Sequence, residues 1–131
     1  MVKALLLISV GILLVGGCKP SPSSTVAADA DRALIDALIN SGADLSKPRH
    51  VYFHLKFDGD KAAMAARADI LRLDLAKAKD FSIEVATNGH VEPEATIVVD
   101  MPAISKISGE LRQIAAKHGG EYDGWEASAK P

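Results

Sequence analysis

Val51-Tyr52-Phe53-His54-Leu55-Lys56-Phe57, followed by Asp58-Gly59-Asp60, is the stretch that decides the fold. Apolar and polar residues alternate without a break. Val51, Phe53, Leu55 and Phe57 point one way, and Tyr52, His54 and Lys56 the other. A period of two predicts a strand with one face buried. Asp58-Gly59-Asp60 turns the chain and can cap the helix that follows. Lys61 to Lys79 is Ala-rich, and Met64, Ala68, Leu71 and Leu75 fall on one helical stripe. A half-buried strand that hands over directly to a helix is the first half of a sheet covered on one side.

Further along, Phe81 to Thr87 alternates again, with Phe81, Ile83 and Val85 against Ser82, Glu84 and Ala86. Asn88-Gly89 is a turn signal, but the connection to Ala95 is too long for a two-residue hairpin. Thr96 to Met101 is expected as a third strand, with Ile97, Val99 and Met101 inward. Pro102 suits a first helical turn. Ile104, Ile107, Leu111 and Ile114 follow at helical spacing, and Gly119-Gly120 ends that helix. Tyr122 to Ser128 reads as a fourth strand, weakened by Gly124. Upstream, Asp29 to Ser41 reads as a helix, with Asp29 or Asp31 at its cap and Gly42 at its end. Leu34 and Leu38 form its apolar face, widened by Ile35 and Ile39. After that first helix the order is β-α-β-β-α-β. Right-handed crossovers then give an α+β domain over residues 29–131: one antiparallel sheet, both helices on one face, a ferredoxin-like arrangement.

The N-terminus belongs to something else. Lys3 precedes an uncharged apolar run, Ala4 to Gly17. That run is too short for the roughly 20 residues of a membrane span and suits a signal peptide over residues 1–17. It ends Val15-Gly16-Gly17-Cys18, which resembles the lipobox of bacterial lipoproteins, with Val in place of the commoner Leu. That resemblance implies acylation of the Cys18 thiol, cleavage before it and acylation of the new N-terminus, so that palmitate-type chains form a membrane anchor. Each buried CH₂ adds about 0.8 kcal/mol, so several chains hold where one is marginal. Lys19 after the cysteine implies the outer membrane, facing the periplasm, in a Gram-negative host. Residues 18–28 carry two prolines and three serines without periodicity, and read as the lipidated Cys and a disordered tether.

Composition narrows the function. The chain has 131 residues, a formal net charge of −2 and a pI near 6, with no basic run. Direct nucleic-acid binding needs clustered Lys and Arg, and is not expected. Cys18 is the only cysteine, so no internal disulfide forms. His50 and His54 share strand parity but stand about 13 Å apart and cannot share an ion. His90 reads as a loop residue, and His118 as the last turn of a helix, where a cation suits the dipole. No H-E-x-x-H occurs, so neither a metal nor a cofactor is expected. No Gly-x-Ser-x-Gly elbow or phosphate-binding loop occurs either. Gly89, Gly119 and Gly120 read as turn and cap glycines. Glu92 and Glu94 flank Pro93 in a solvated loop. Glu84 and Asp100 are read as cross-strand charge partners of His54 and Lys56; an acid–base site there is the alternative.

Gly120-Glu121-Tyr122-Asp123-Gly124-Trp125-Glu126 closely resembles the ending of the regulator of ribonuclease E activity B (RraB) family, whose domain closes with a Tyr-Asp-Gly-Trp strand. The Gly42-Ala43-Asp44 turn, the aromatic strand Tyr52-Phe53-His54 and the strand Ile97-Val98-Val99-Asp100-Met101 match that family in order. The resemblance covers residues 29–131. It implies a ferredoxin-like domain that binds protein and does not catalyse. A cytoplasmic member of the family binds the scaffold region of ribonuclease E and restrains RNA cleavage. In the family a long acidic tail follows the motif; here the residues after it, to Pro131, carry no such run. An export signal also precedes the domain.

Tyr122, Asp123, Gly124 and Trp125 are therefore the candidate protein interface. Core packing is the competing reading for the two aromatics. Strict alternation puts them on opposite sheet faces unless Gly124 marks a bulge. The leading functional reading is a membrane-tethered protein-binding domain with a partner in the cell envelope. The alternatives are a genuine regulator of ribonuclease E, and a small ligand binder or enzyme using the open sheet face around His54, Glu84 and Asp100.

Overall fold

The computed structural model describes residues 24–129. The expected signal peptide, Cys18 and the first part of the tether lie outside the described residues. Helix α1 (Ser24–Asn40) leads into strand β1 (Arg49–Lys56) and helix α2 (Asp60–Ile70). A 3-10 turn (Asp74–Lys77) carries the chain into β2 (Lys79–Val85) and β3 (His90–Ile97). Helix α3 (Met101–Lys117) and strand β4 (Glu121–Ala127) follow. The sheet order is β2-β3-β1-β4, with every pair antiparallel. This is the expected ferredoxin-like α+β arrangement behind an N-terminal helix.

The alternation of β1 decides which face is covered. Val51, Phe53, Leu55 and Phe57 are buried, joined by Val91 and Ala95 of β3 and Trp125 of β4. From the helices come Ala63, Ala66 and Ile70, then Ile104, Leu111, Ile114 and Ala115. The helices thus share one side of the sheet. Arg49 is buried at the end of β1. Its Nη1 donates to Ser128 O (2.6 Å) and its Nη2 to Asp44 O (2.8 Å), which ties the α1–β1 loop to the chain beyond β4.

Several expectations need correction. Helix α1 starts at Ser24, inside the segment read as tether; no residue from Ser24 to Ala28 breaks a helix, and Ala27 packs into the core. Its buried stripe is Ala27, Asp31, Ile35 and, partly, Leu38, while Leu34 and Ile39 stay exposed. Asp31 is therefore no cap.

Helix α2 ends at Ile70 rather than running to Lys79, and it buries Ala63, Ala66 and Ile70 while Met64, Ala68 and Leu71 face solvent. Small side chains let this short helix lie close on the sheet. Leu75 reaches the core from the 3-10 turn instead.

The third strand is His90–Ile97, not Thr96–Met101. Ile97, Val99 and Met101 still reach the core, from its end and from the connection into α3. Pro93 lacks an N–H and is disfavoured inside a sheet. It is tolerated where the β1/β3 ladder pauses. Tyr52↔Glu94 and Leu55↔Val91 are paired, but Phe53 and His54 between them are not, while Ile83↔Pro93 continues on the β2 side. The β2–β3 link is consequently a tight hairpin. Gly89 takes φ +80° there, and a Cβ on it would collide with the Phe57 carbonyl, so only glycine fits. Asp100, expected on a strand, is the N-cap of α3; its Oδ1 accepts from Ala103 N at 2.8 Å, with Pro102 in the first turn.

Leu111→Ala should cost about 2–5 kcal/mol, because Leu111 is completely enclosed and its loss leaves a cavity. Glu84→Ala, exposed on edge strand β2, should change stability by less than about 0.5 kcal/mol. Urea unfolding followed by circular dichroism checks both.

Candidate functional site

The Tyr-Asp-Gly-Trp strand resolves through its glycine. Gly124 adopts φ +102°, and the β1/β4 register jumps from His54↔Gly124 to Leu55↔Tyr122. Asp123 is the extra residue of a β-bulge. The bulge flips parity, so Tyr122 and Trp125 both face the helices. Asp123 is left exposed.

Both aromatics end on a buried polar link. Trp125 Nε1 donates to Asp31 Oδ1 at 3.0 Å, and Ser108 Oγ donates to the same oxygen at 3.3 Å. Ser108 Oγ also lies 3.1 Å from the Tyr122 hydroxyl, and the Arg112 guanidinium stands 5.2 Å from the Tyr122 ring centroid. Asp31 comes from α1, Ser108 from α3, and the two aromatics from β4, so one carboxyl joins three elements. Burial pushes the Tyr122 phenol far above the ordinary tyrosine value; the nearby Asp31 charge adds to this, and the Ser108 bond and Arg112 oppose it. Asp31 is expected only as a helix cap and Ser108 is not singled out, yet each interrupts an apolar stripe at helical spacing: Ala27-Asp31-Ile35, and Ile104-Ser108-Leu111. A polar residue on a buried stripe implies a buried partner.

With the motif turned inward, the accessible chemistry lies on the other face of the sheet. His50 Nδ1 lies 3.2 Å from Thr96 Oγ1 and its Nε2 3.5 Å from Glu94 Oε2. Ser82 Oγ donates to Glu94 at 2.7 Å, and Thr96 Oγ1 to Asp80 at 2.9 Å. His50 also meets Tyr52 edge to face, with centroids 4.8 Å apart. Four residues further along β1, His54 meets His90, Glu92 and Glu126. Glu84, Glu92, Glu94, Glu121 and Glu126 share this face with Lys56, so carboxylates outnumber amines.

Three expectations change here. His90 opens β3 beside His54 instead of sitting in a distant loop, and Glu92 and Glu94 point outward from the same strand. The reason is again Pro93, which masked the strand. Asp100 takes no part, since it caps α3. Glu84 lies opposite Glu92 on β2, and β3 separates it from β1, so the His54–Glu84–Asp100 grouping does not assemble. His118 is the C-cap of α3, with Nε2 2.8 Å from Asp69 Oδ2. Hydrogen bonds from His118 and Lys117 hold Asp69 below the usual carboxylate range.

The model of a family described as Regulator of ribonuclease activity B matches residues 28–127. The match takes in Asp31, Ser108, Tyr122 and Trp125 as well as the whole sheet. Among curated proteins, none matches the chain significantly.

Asp31→Ala should cost about 1–3 kcal/mol, because the indole N–H loses its buried acceptor. Asp31→Asn, which keeps an oxygen there, should cost less; thermal unfolding of the two variants separates them. Tyr122 gives a pH test. Its folded-state pKa is raised, so its contribution is complete below about pH 10, the value in unfolded chains, and is lost as pH rises beyond it. Stability measured from pH 8 to 11 should fall more steeply in the natural protein than in Tyr122→Phe.

Proposed function

Since the chain belongs to the Regulator of ribonuclease activity B family, we propose that it is a non-catalytic protein-binding domain, held at a membrane by lipid on Cys18 and acting on a partner in the cell envelope. The family match over residues 28–127 carries the binding role. The binding surface is the uncovered sheet face, because Tyr122 and Trp125 are committed to the interior. Its acidic and imidazole side chains suit a partner that presents basic residues, for which complementary charge sets both encounter rate and selectivity.

The tether rests on residues 1–18. Lys3, the apolar run Ala4 to Gly17 and Val15-Gly16-Gly17-Cys18 are what a lipoprotein signal requires, and Lys19 directs the product to the outer membrane, facing the periplasm, in a Gram-negative host. Among the described residues no helix is long and apolar enough to cross a membrane. The family's name favours a second reading, regulation of ribonuclease E in the cytoplasm. That reading requires residues 1–17 to remain on the chain, so one experiment separates the two.

Cells expressing the full chain are fed an alkyne palmitate analogue and fractionated. The natural protein should carry label and sediment with membranes. Cys18→Ser should lose the label and leave the membrane fraction. An unlabelled natural protein in the cytoplasmic fraction would overturn the tether and favour the second reading. Affinity capture from the same membranes tests the surface. Glu94→Lys with Glu126→Lys should lose whatever the natural protein retains, whereas Trp125→Phe should keep it.

A further inference from the structure

One group on the sheet face differs in kind from its neighbours. Around His50 the polar atoms are satisfied in pairs: imidazole with Thr96, Glu94 with Ser82, Thr96 with Asp80. Around His54 three atoms converge on one point. His54 Nδ1 is 3.3 Å from His90 Nε2 and 3.3 Å from Glu92 Oε2, and His90 Nε2 is 3.5 Å from the same carboxylate oxygen. The three sides of that triangle are nearly equal. Ligands about 2.0–2.1 Å from a tetrahedral zinc ion are separated by about 3.3–3.4 Å. The triangle therefore has the dimensions of one face of such a coordination shell.

One tautomer of His54 suits the same arrangement. The other nitrogen of His54, Nε2, lies 3.5 Å from Glu126 Oε1 on β4. In the tautomer with its N–H directed at Glu126, His54 presents a lone pair from Nδ1 toward Glu92, whose oxygen is also an acceptor. A proton or a metal cation shared among these atoms relieves that opposition, and the geometry accommodates either. A carboxylate behind the non-ligating nitrogen is the usual partner of a metal-bound histidine, because it fixes the tautomer and raises the ligand's basicity.

The backbone holds the group in place. His54 lies on β1, and His90 and Glu92 on β3, two central strands of the sheet. His90 and Glu92 are two residues apart and so share a face, and the Lys56↔His90 and Leu55↔Val91 pairs bring them alongside His54. All three side chains are partly exposed, at 22%, 36% and 29%, which leaves an ion a path in from solvent.

We propose that His54 Nδ1, His90 Nε2 and Glu92 Oε2 bind a divalent transition-metal ion of the zinc type, with water in the fourth position and Glu126 orienting His54. Two imidazoles and one carboxylate select such an ion over magnesium or calcium, which take oxygen ligands. The site is independent of the membrane tether and of the identity of any protein partner.

The test uses the full chain in mild detergent, without a polyhistidine tag, titrated with zinc chloride by calorimetry and with cobalt(II) by visible absorption. One ion should bind per chain, cobalt should give the intense bands of a tetrahedral complex, and zinc should raise the unfolding temperature. A large excess of magnesium should not compete. His90→Ala and Glu92→Gln, both at partly exposed positions, should abolish saturable binding while leaving the circular dichroism unchanged. Glu126→Gln should weaken binding by about 10–100-fold, and His50→Ala should leave it intact. Absence of saturable binding in the natural chain overturns the proposal. So does zinc affinity that survives His90→Ala and Glu92→Gln together, since the ion would then sit elsewhere.

Discussion

The hydrogen bond from the Trp125 indole to Asp31 Oδ1 organises this domain. It joins the first described helix to the last strand across most of the chain. Trp125 can reach Asp31 only if it faces the helices, and with Tyr122 doing the same, the strand must hold an extra residue between them. Gly124, at φ +102°, permits that bulge. Ser108 then completes the link by bonding to both Asp31 and Tyr122. Removing Asp31 leaves the buried indole N–H without its acceptor, and removing Ser108 takes the partner of the Tyr122 hydroxyl; an orphan of that kind costs more than the bond itself contributes.

Committing the motif to the interior shapes the exterior. A four-stranded sheet with its helices on one side keeps one face uncovered, and here that face is charged rather than apolar. Its histidines are partly shielded, which sharpens their interactions relative to free solution. The same surface can serve a protein partner and hold an ion, because the three metal ligands are distinct from Glu94, although Glu126 serves both uses. Glu94 and His50 lie toward one end of β1, and His54, His90 and Glu92 toward the other. A metal near such an interface would also change its charge, shifting an acidic surface toward neutrality.

Pro93 had the largest effect on how the chain reads. Within the run His90 to Ile97 it imitates a loop, since a proline cannot donate to a ladder. The fold accommodates it at an unpaired step between β1 and β3, with buried contacts on the core side. Once that strand is recognised, His90, Glu92 and Glu94 leave the loop and join His50 and His54 on one surface.

Local pattern alone determined the alternating faces of β1 and β2, the existence and order of the helices, the first-turn position of Pro102, and hence the ferredoxin-like topology. These follow from periodicities of 2 and 3.6, which need no knowledge of distant neighbours. The motif from Tyr122 to Trp125 was equally legible as a family signature. Tertiary structure decided which face each aromatic takes, because a bulge changes parity only in reference to the partner strand. It also decided that Asp31 and Ser108 belong together, 77 residues apart in the chain, and that His54 meets His90. Such pairings depend on register and packing between elements, quantities that no single segment of the sequence contains.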